Sequence, residues 1–287
     1  MAHLFERVTI AGPGLIGGSL ALAARAAGLV GEVVGLARSA ETLAEARRRG
    51  IVDRASSDPL DAARGANLLV LAVPVRAIAT VARQCLPVLA PGCVVTDAGS
   101  VKAPIVRELE ALMPPGQPFV GAHPIAGTEE QGPAAADPDL FRHQLCIITP
   151  SAQTDAAAAG RIQALWEGVG MRVERMSPER HDDILAAVSH LPHVIAFALV
   201  NAVVAAGGDL PRYRGGSLRD ATRVASSSVE MWRDILLTNA AAVDAALARF
   251  SAELERLRGA LRRGDEAELV RLLVRASAER RGWSRES

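Results

Sequence analysis

Val8-Thr9-Ile10-Ala11-Gly12-Pro13-Gly14-Leu15-Ile16-Gly17-Gly18-Ser19 is the stretch that decides the fold. A short apolar run enters a GxGxxG turn, and an alanine- and leucine-rich helix leaves it, until Gly28 stops it. Strand, glycine turn and helix in that order form the dinucleotide-binding context. Gly12 permits the tight turn, Gly14 lets backbone approach a pyrophosphate, and Gly17 allows close packing of helix on strand. Backbone N–H groups at the helix start, those of Leu15 and Ile16 among them, supply an anion site.

The alternation continues downstream. Strands are expected at 32–36, 52–54, 67–73, 93–97, 118–121, 145–149 and 172–176, with helices at about 40–49, 75–86, 102–112 and 154–168. Asn67-Leu68-Leu69-Val70-Leu71-Ala72-Val73 is apolar throughout, as strands buried on both faces of a parallel sheet are. These units predict a Rossmann-type α/β domain with a doubly wound, mostly parallel sheet over 1–177. From Ser177-Pro178-Glu179, a helix start with a capping hydroxyl and proline at the first position, only helices are expected. Leu247, Phe250, Leu254, Leu257 and Leu261 recur at spacings of three and four, a seam suited to a partner helix. An all-helical dimerisation domain over 178–287 follows, the alternative being a monomer whose helices fold back on the sheet.

Composition narrows the function. Thirty-two Lys+Arg balance 32 Asp+Glu, so no field favours nucleic acid or an anionic membrane. No apolar run is expected to reach the roughly 18 residues of a membrane span, and Met1 to Arg7 lack a signal peptide's apolar core, so a cytoplasmic protein is expected. Cys85, Cys93 and Cys146 lack metal-ligand spacing and read as small buried hydrophobes; no metal site is expected.

The chemistry collects at strand ends. After the second strand, where NAD-preferring sites carry an acid for the ribose, stand Ala37, Arg38 and Ser39. A cation with a hydroxyl suits a 2′-phosphate, although Arg38 could equally stack on adenine in either cofactor; the reading is NAD(P) with a lean to NADP. Val73 and Pro74, ending the apolar strand, are counted with the cofactor contacts. Ser100, in Asp97-Ala98-Gly99-Ser100-Val101-Lys102, either caps the next helix or presents its hydroxyl to nicotinamide and substrate. Gly121-Ala122-His123-Pro124-Ile125-Ala126-Gly127-Thr128-Glu129 is too rich in glycine and proline for helix or strand and reads as a loop on the same sheet edge. His123 is its candidate base. Farther on, Ser189-His190-Leu191-Pro192-His193 places two histidines near one helix face, with Pro192 freeing a backbone carbonyl.

GPGLIGGS at 12–19, DAGSVK at 97–102, HPIAGTE at 123–129, SHLPH at 189–193, GGSLRDATR at 215–223 and MWRD at 231–234 together resemble the prephenate dehydrogenases and the related arogenate and cyclohexadienyl dehydrogenases of tyrosine biosynthesis. The resemblance spans essentially the whole chain. It implies oxidation of a cyclohexadienyl alcohol, with hydride passing to NAD(P)+ and loss of carbon dioxide. It implies His123 as base, with Ser100 bonded to it or to the reacting hydroxyl. Arg223 matches the principal carboxylate-binding arginine and His193 a second substrate contact, with His190 a structural neighbour. Gly216 and Arg219 belong to the same substrate-binding stretch, Arg219 standing where some members have lysine. Glu129 and Asp220 match acids of an ionic network at the pocket mouth. Trp232 matches an aromatic that reaches the neighbouring subunit's site, or is an ordinary core tryptophan. Ser226-Ser227-Ser228-Val229 lacks the Asp-Pro that often precedes the Met-Trp pair. No regulatory or mutase domain is expected, so tyrosine inhibition through a separate domain is not expected either.

Two rivals remain. A dehydrogenase of 3-hydroxy acids would place a lysine on the first long helix after the sheet, yet Lys102 is the only lysine in the sequence. A nucleotide-sensing protein without chemistry would have lost the base or the carboxylate clamp, yet His123, Ser100 and Arg223 are present.

Overall fold

The computed structural model describes residues 3–128, 130–213 and 215–283. In chain order the sheet region runs β1 (Phe5–Ala11), α1 (Leu15–Ala26), β2 (Val30–Leu36), α2 (Ala40–Arg48), β3 (Arg54–Ser56), α3 (Pro59–Ala63), β4 (Leu68–Leu71), α4 (Ile78–Cys85), β5 (Val94–Asp97), α5 (Ala103–Leu112), β6 (Phe119–Val120), β7 (Ala122–Ile125), β8 (Leu145–Ile148), α6 (Ala156–Gly168) and β9 (Arg172–Arg175). Helices follow: α7 (Pro178–Leu185), a π-helical turn at Ala186–His190, α8 (Leu191–Ala205), α9 (Gly216–Thr222), α10 (Val229–Thr238), α11 (Ala240–Arg263) and α12 (Glu266–Trp283).

Six strands form a parallel sheet in the order β3-β2-β1-β4-β5-β6. Side chains alternate across it. Val8, Ile10, Leu68, Val70 and Val94 face a core closed by α1 and α6 through Leu20, Ile162 and Trp166. Ala11, Leu69, Leu71 and Val95 face a second core closed by α4 and α5 through Ile78, Ala82, Ile105 and Leu109. Burial on both faces explains why β4 is apolar at every position. The three cysteines are buried and free.

The structure corrects two expectations here. Strands β8 and β9 do not extend the parallel sheet. With β7 they form a separate three-stranded sheet, β7-β8-β9. And Ala122–Ile125 is a strand, not a loop, with His123 opposite Ile147 in an antiparallel pair. Gly121 ends the pairing with β5, and the chain turns out of the first sheet there. Pro124 is tolerated because β7 is an edge strand, where a missing N–H breaks no ladder.

The change from sheet to helix comes at Ser177, where Ser177 Oγ accepts the Arg180 N–H and Pro178 opens α7. The division into compact units comes later: residues 1–239 form one and 240–287 the other. Helices α7 to α10 belong to the first because they are tied to its sheet. Asp182 accepts the N–H groups of Lys102 and Ala103 at the start of α5, and Trp232 and Ile235 of α10 pack into the core beside α4. The continuous helix Pro178–Ala205 is long and apolar enough, over 28 residues, to cross a membrane. Its α7 end carries the buried His181 and Asp182, while Val188 and Val204 stay 66% and 65% exposed.

The second unit is a helical pair. Gly264 takes the left-handed conformation (φ +61°) that ends α11, and Asp265 starts α12 by accepting the Glu268 N–H. Within the expected seam of α11, Leu247, Phe250 and Leu257 are half-buried whereas Leu254 and Leu261 are exposed.

Candidate active site

The strand order reverses between β1 and β4, and that switch point at the carboxyl edge is where such sheets bind dinucleotides. Gly12 leaves β1 with φ +88°, and a Cβ there would lie 2.3 Å from the Ala72 carbonyl oxygen. A Cβ on Gly17 would lie 2.3 Å from the Gly12 oxygen. Both positions therefore admit only glycine. Helix α1 begins at Leu15 with Gly14 before it and no side-chain cap, so its first N–H groups are open to an anion. The turn fits a dinucleotide pyrophosphate. Arg38 and Ser39 are exposed at the end of β2; Ser39 Oγ accepts the Thr42 N–H as cap of α2, which leaves its own O–H free to donate. Val73 is half-buried and Pro74 exposed beyond β4.

Two strands along, β5 ends in Asp97, about 10 Å from β1 at ordinary strand spacing. Asp97 and Lys102 are both fully buried and form an ion pair. Asp97 also accepts the N–H groups of Gly99 and Ala122, and Lys102 Nζ donates to the Ala122 carbonyl at 2.9 Å. This pair ties β5, the start of α5 and the start of β7 together, and so sets His123 at the carboxyl edge. Ser100, half-buried between them, does not cap α5. Asp182 does that, and Ser100 has no hydrogen-bond partner among the described residues.

His123 is 9% exposed. Its Nδ1 lies 2.8 Å from His181 Nε2, and His181 Nδ1 lies 2.8 Å from Asp182 Oδ1. Beyond them, Asn239 Nδ2 donates to the Asp182 carbonyl at 3.0 Å and to His190 Nδ1 at 3.2 Å. His193 Nδ1 donates to the Ser189 carbonyl at 2.9 Å, one turn back along the same helix. Trp232 stacks on His193 at 3.6 Å and meets His190 edge-on at 5.9 Å. Its buried indole nitrogen has no hydrogen-bond partner in the described structure. Trp232 thus lies against its own chain's His193, as a core residue of the first unit.

Arg223, exposed in the turn after α9, is near enough for its charge to lower the His193 pKa, although burial is the larger cause. Gly216, Arg219 and Asp220 are exposed on α9, and no described contact joins them to the histidines. Glu129 lies outside the described residues. The sequence reading missed His181, Asp182, Asn239 and the Asp97–Lys102 pair. The only signal was a sole lysine five residues from an aspartate.

Burial holds His123 well below its ordinary 6.5, and the charge on Lys102 acts in the same direction. Burial also lowers His181, and it pushes His190 down to about 4. These rings are therefore neutral at neutral pH. Because each folded value lies below the unfolded one, the unfolded chain binds more protons between the two. Stability is complete above about pH 6.5 and is lost as pH falls through that window. His190 alone, at about 4 against 6.5, should cost on the order of 3 kcal/mol by pH 4. Thermal melts from pH 8 to pH 4 should fall steeply below pH 6.5; a flat profile would contradict this burial of neutral rings.

Residues 20–175 match the family model "Prephenate dehydrogenase, nucleotide-binding domain", and residues 177–275 match "Prephenate dehydrogenase, dimerization domain". The chain is 41% identical over 263 residues to the cyclohexadienyl dehydrogenase of Zymomonas mobilis, covering 90% of this chain and 89% of that protein. It is 32% identical over 289 residues to the prephenate dehydrogenase of Bacillus subtilis, covering 98% and 77%. The crystal structure of prephenate dehydrogenase from A. aeolicus, solved with hydroxyphenyl propionate and NAD+, superposes with a TM-score of 0.92 at 36% identity, covering 96% of this chain and 98% of that one. With its glycine turn at the switch point and a buried histidine at the same sheet edge, this chain belongs to the prephenate dehydrogenase family.

Proposed function

We propose that the protein oxidatively decarboxylates prephenate, arogenate or both, with His123 as the base. The observation that carries this reading is the neutral, buried His123, bonded through Nδ1 at the sheet edge that carries the dinucleotide turn. A nicotinamide dinucleotide held at the Gly12–Gly17 turn would supply the acceptor for the hydride of the carbinol carbon. His123 takes the alcohol proton as that hydride leaves, which calls for a ring unprotonated at working pH. The ring carboxylate leaves as carbon dioxide and its bonding pair completes the aromatic ring. Arg223 clamps a substrate carboxylate, where a guanidinium fork fixes orientation as well as charge. His193, with Nδ1 committed to Ser189, offers Nε2 as an acceptor to a substrate donor. Ser100 holds the reacting hydroxyl, and Gly216, Arg219, Glu129 and Trp232 complete the substrate site. Residues 1–177 carry the cofactor, and 178–287 carry substrate contacts and the dimer.

Rates of NAD(P)H formation with prephenate and with arogenate, each against NAD+ and NADP+, test this reading. Turnover with at least one pair supports it. No turnover with any pair, in protein that still binds cofactor, would reject it.

The lean to NADP rests on Arg38 and Ser39, both exposed at the helix start, with Glu41 in the same turn opposing it. Replacing a guanidinium–phosphate contact costs about 1.5–3 kcal/mol. Arg38→Ala should therefore raise KM for NADP+ roughly ten- to hundredfold and leave NAD+ nearly unchanged; equal small effects on both would refute the lean. The homodimer is supported by the matched dimerization domain and by the exposed apolar Val188, Val200 and Val204. Sedimentation at micromolar concentration should give twice the chain mass.

A further inference from the structure

The two polar side chains in line behind His123, His181 and Asp182, have a directionality that the chemistry of their atoms settles. Asp182 accepts at both oxygens: Oδ1 from the Lys102 N–H at 2.7 Å, Oδ2 from the Ala103 N–H at 2.8 Å. A carboxylate so employed has no proton to give, so the 2.8 Å contact with His181 Nδ1 is an N–H donated by the ring. A neutral His181 with its proton on Nδ1 has only a lone pair on Nε2. The 2.8 Å contact from that atom to His123 Nδ1 must then be an N–H donated by His123. The second nitrogen of His123 is left bare.

We propose that His181, anchored by Asp182, is a positioning residue that fixes the tautomer of His123 and makes Nε2 its proton-accepting nitrogen. The proposal rests on the reading of His123 as the base. When Nε2 takes the alcohol proton, the positive charge that appears on the ring is shared through Nδ1–H with His181 Nε2. No proton leaves Asp182, and none need pass beyond His181. The groups that otherwise face the two rings are Asp182 and His190 from the α7–α8 helix, Asp97 and Lys102 from the β5–α5 connection, and Cys146, whose thiol meets the His123 backbone from β8. All remain when only His181 is changed. Both rings are buried, 9% and 0% exposed, so water does not replace the lost acceptor cheaply.

The experiment compares wild type, His181→Leu, His181→Gln and His123→Asn. The Gln side chain keeps an acceptor oxygen for His123 and an amide donor for Asp182, whereas Leu keeps neither. His181→Leu should lower kcat roughly ten- to hundredfold and move the acidic limb of the kcat/KM profile to lower pH by about one pH unit; His181→Gln should restore most of both. Nitrogen-15 spectra of histidine-labelled wild type, with His123 assigned by the His123→Asn variant, should show Nδ1 protonated and Nε2 bare at neutral pH. A reversed tautomer, an acidic limb unmoved in His181→Leu, or a limb moved upward would overturn the proposal. Should His181→Leu not fold, the Gln variant and the wild-type spectra still decide it. Failure of the base assignment itself is read separately: His123→Asn would then remain active whatever the tautomer.

Discussion

Replacing His123 by Asn should lower kcat by about two to four orders of magnitude, the usual worth of a general base, while cofactor affinity and the folded state stay intact. The prediction is sharp because asparagine suits this position. Its amide nitrogen reproduces Nδ1 and can still donate to His181, which the native ring contacts at 2.8 Å. What it lacks is the second nitrogen. The variant therefore removes the base and leaves the hydrogen bond that ties β7 to α7. Initial rates across pH, with cofactor binding followed by fluorescence, make the comparison. A loss under tenfold would mean that another group takes the alcohol proton.

Lys102→Met should destabilise the protein by about 3–5 kcal/mol, the cost of removing one partner of a buried ion pair. Lys102 and Asp97 are both fully buried. Without the ammonium, Asp97 keeps, among the described residues, the N–H groups of Gly99 and Ala122, and the Ala122 carbonyl loses its 2.9 Å donor. At roughly 2–4 °C per kcal/mol for a domain of this size, the melting temperature should drop on the order of 10 °C. The double variant Asp97→Asn/Lys102→Met should recover part of that loss, since the uncompensated charge is what costs most. Calorimetry on the two variants checks it; a drop of about 1 °C or less for the single variant would contradict the role given to this pair.

The parallel sheet and its cofactor turn were legible because their signals are local. Continuous apolar strands, a glycine turn and alternating helices each lie within a dozen residues. His123 was legible as a chemical group, but its surroundings were not. The glycines and proline of 121–129 suggested a loop, and the strand at Ala122–Ile125 exists only because β8, twenty residues later, pairs with it. No local signal tells an edge strand from a loop when proline sits within it. His181 and Asp182 were invisible for a related reason: their partners are 58 and 80 residues away in sequence. On a helix whose outward face is polar, His-Asp reads as surface, and only the packing of α7 on α5 buries it. Ser100 left two readings open, and a contact distant in sequence decides against one of them. A serine ahead of a helix suggests a cap, but here the cap of α5 comes from another helix.

The most direct measurement is the balance of products. Wild-type protein incubated with prephenate and oxidised cofactor should release one carbon dioxide for every reduced cofactor formed, with the ring aromatic, or the same from arogenate. Reduced cofactor without carbon dioxide, or no reaction with either compound by protein that binds the cofactor, would contradict the account.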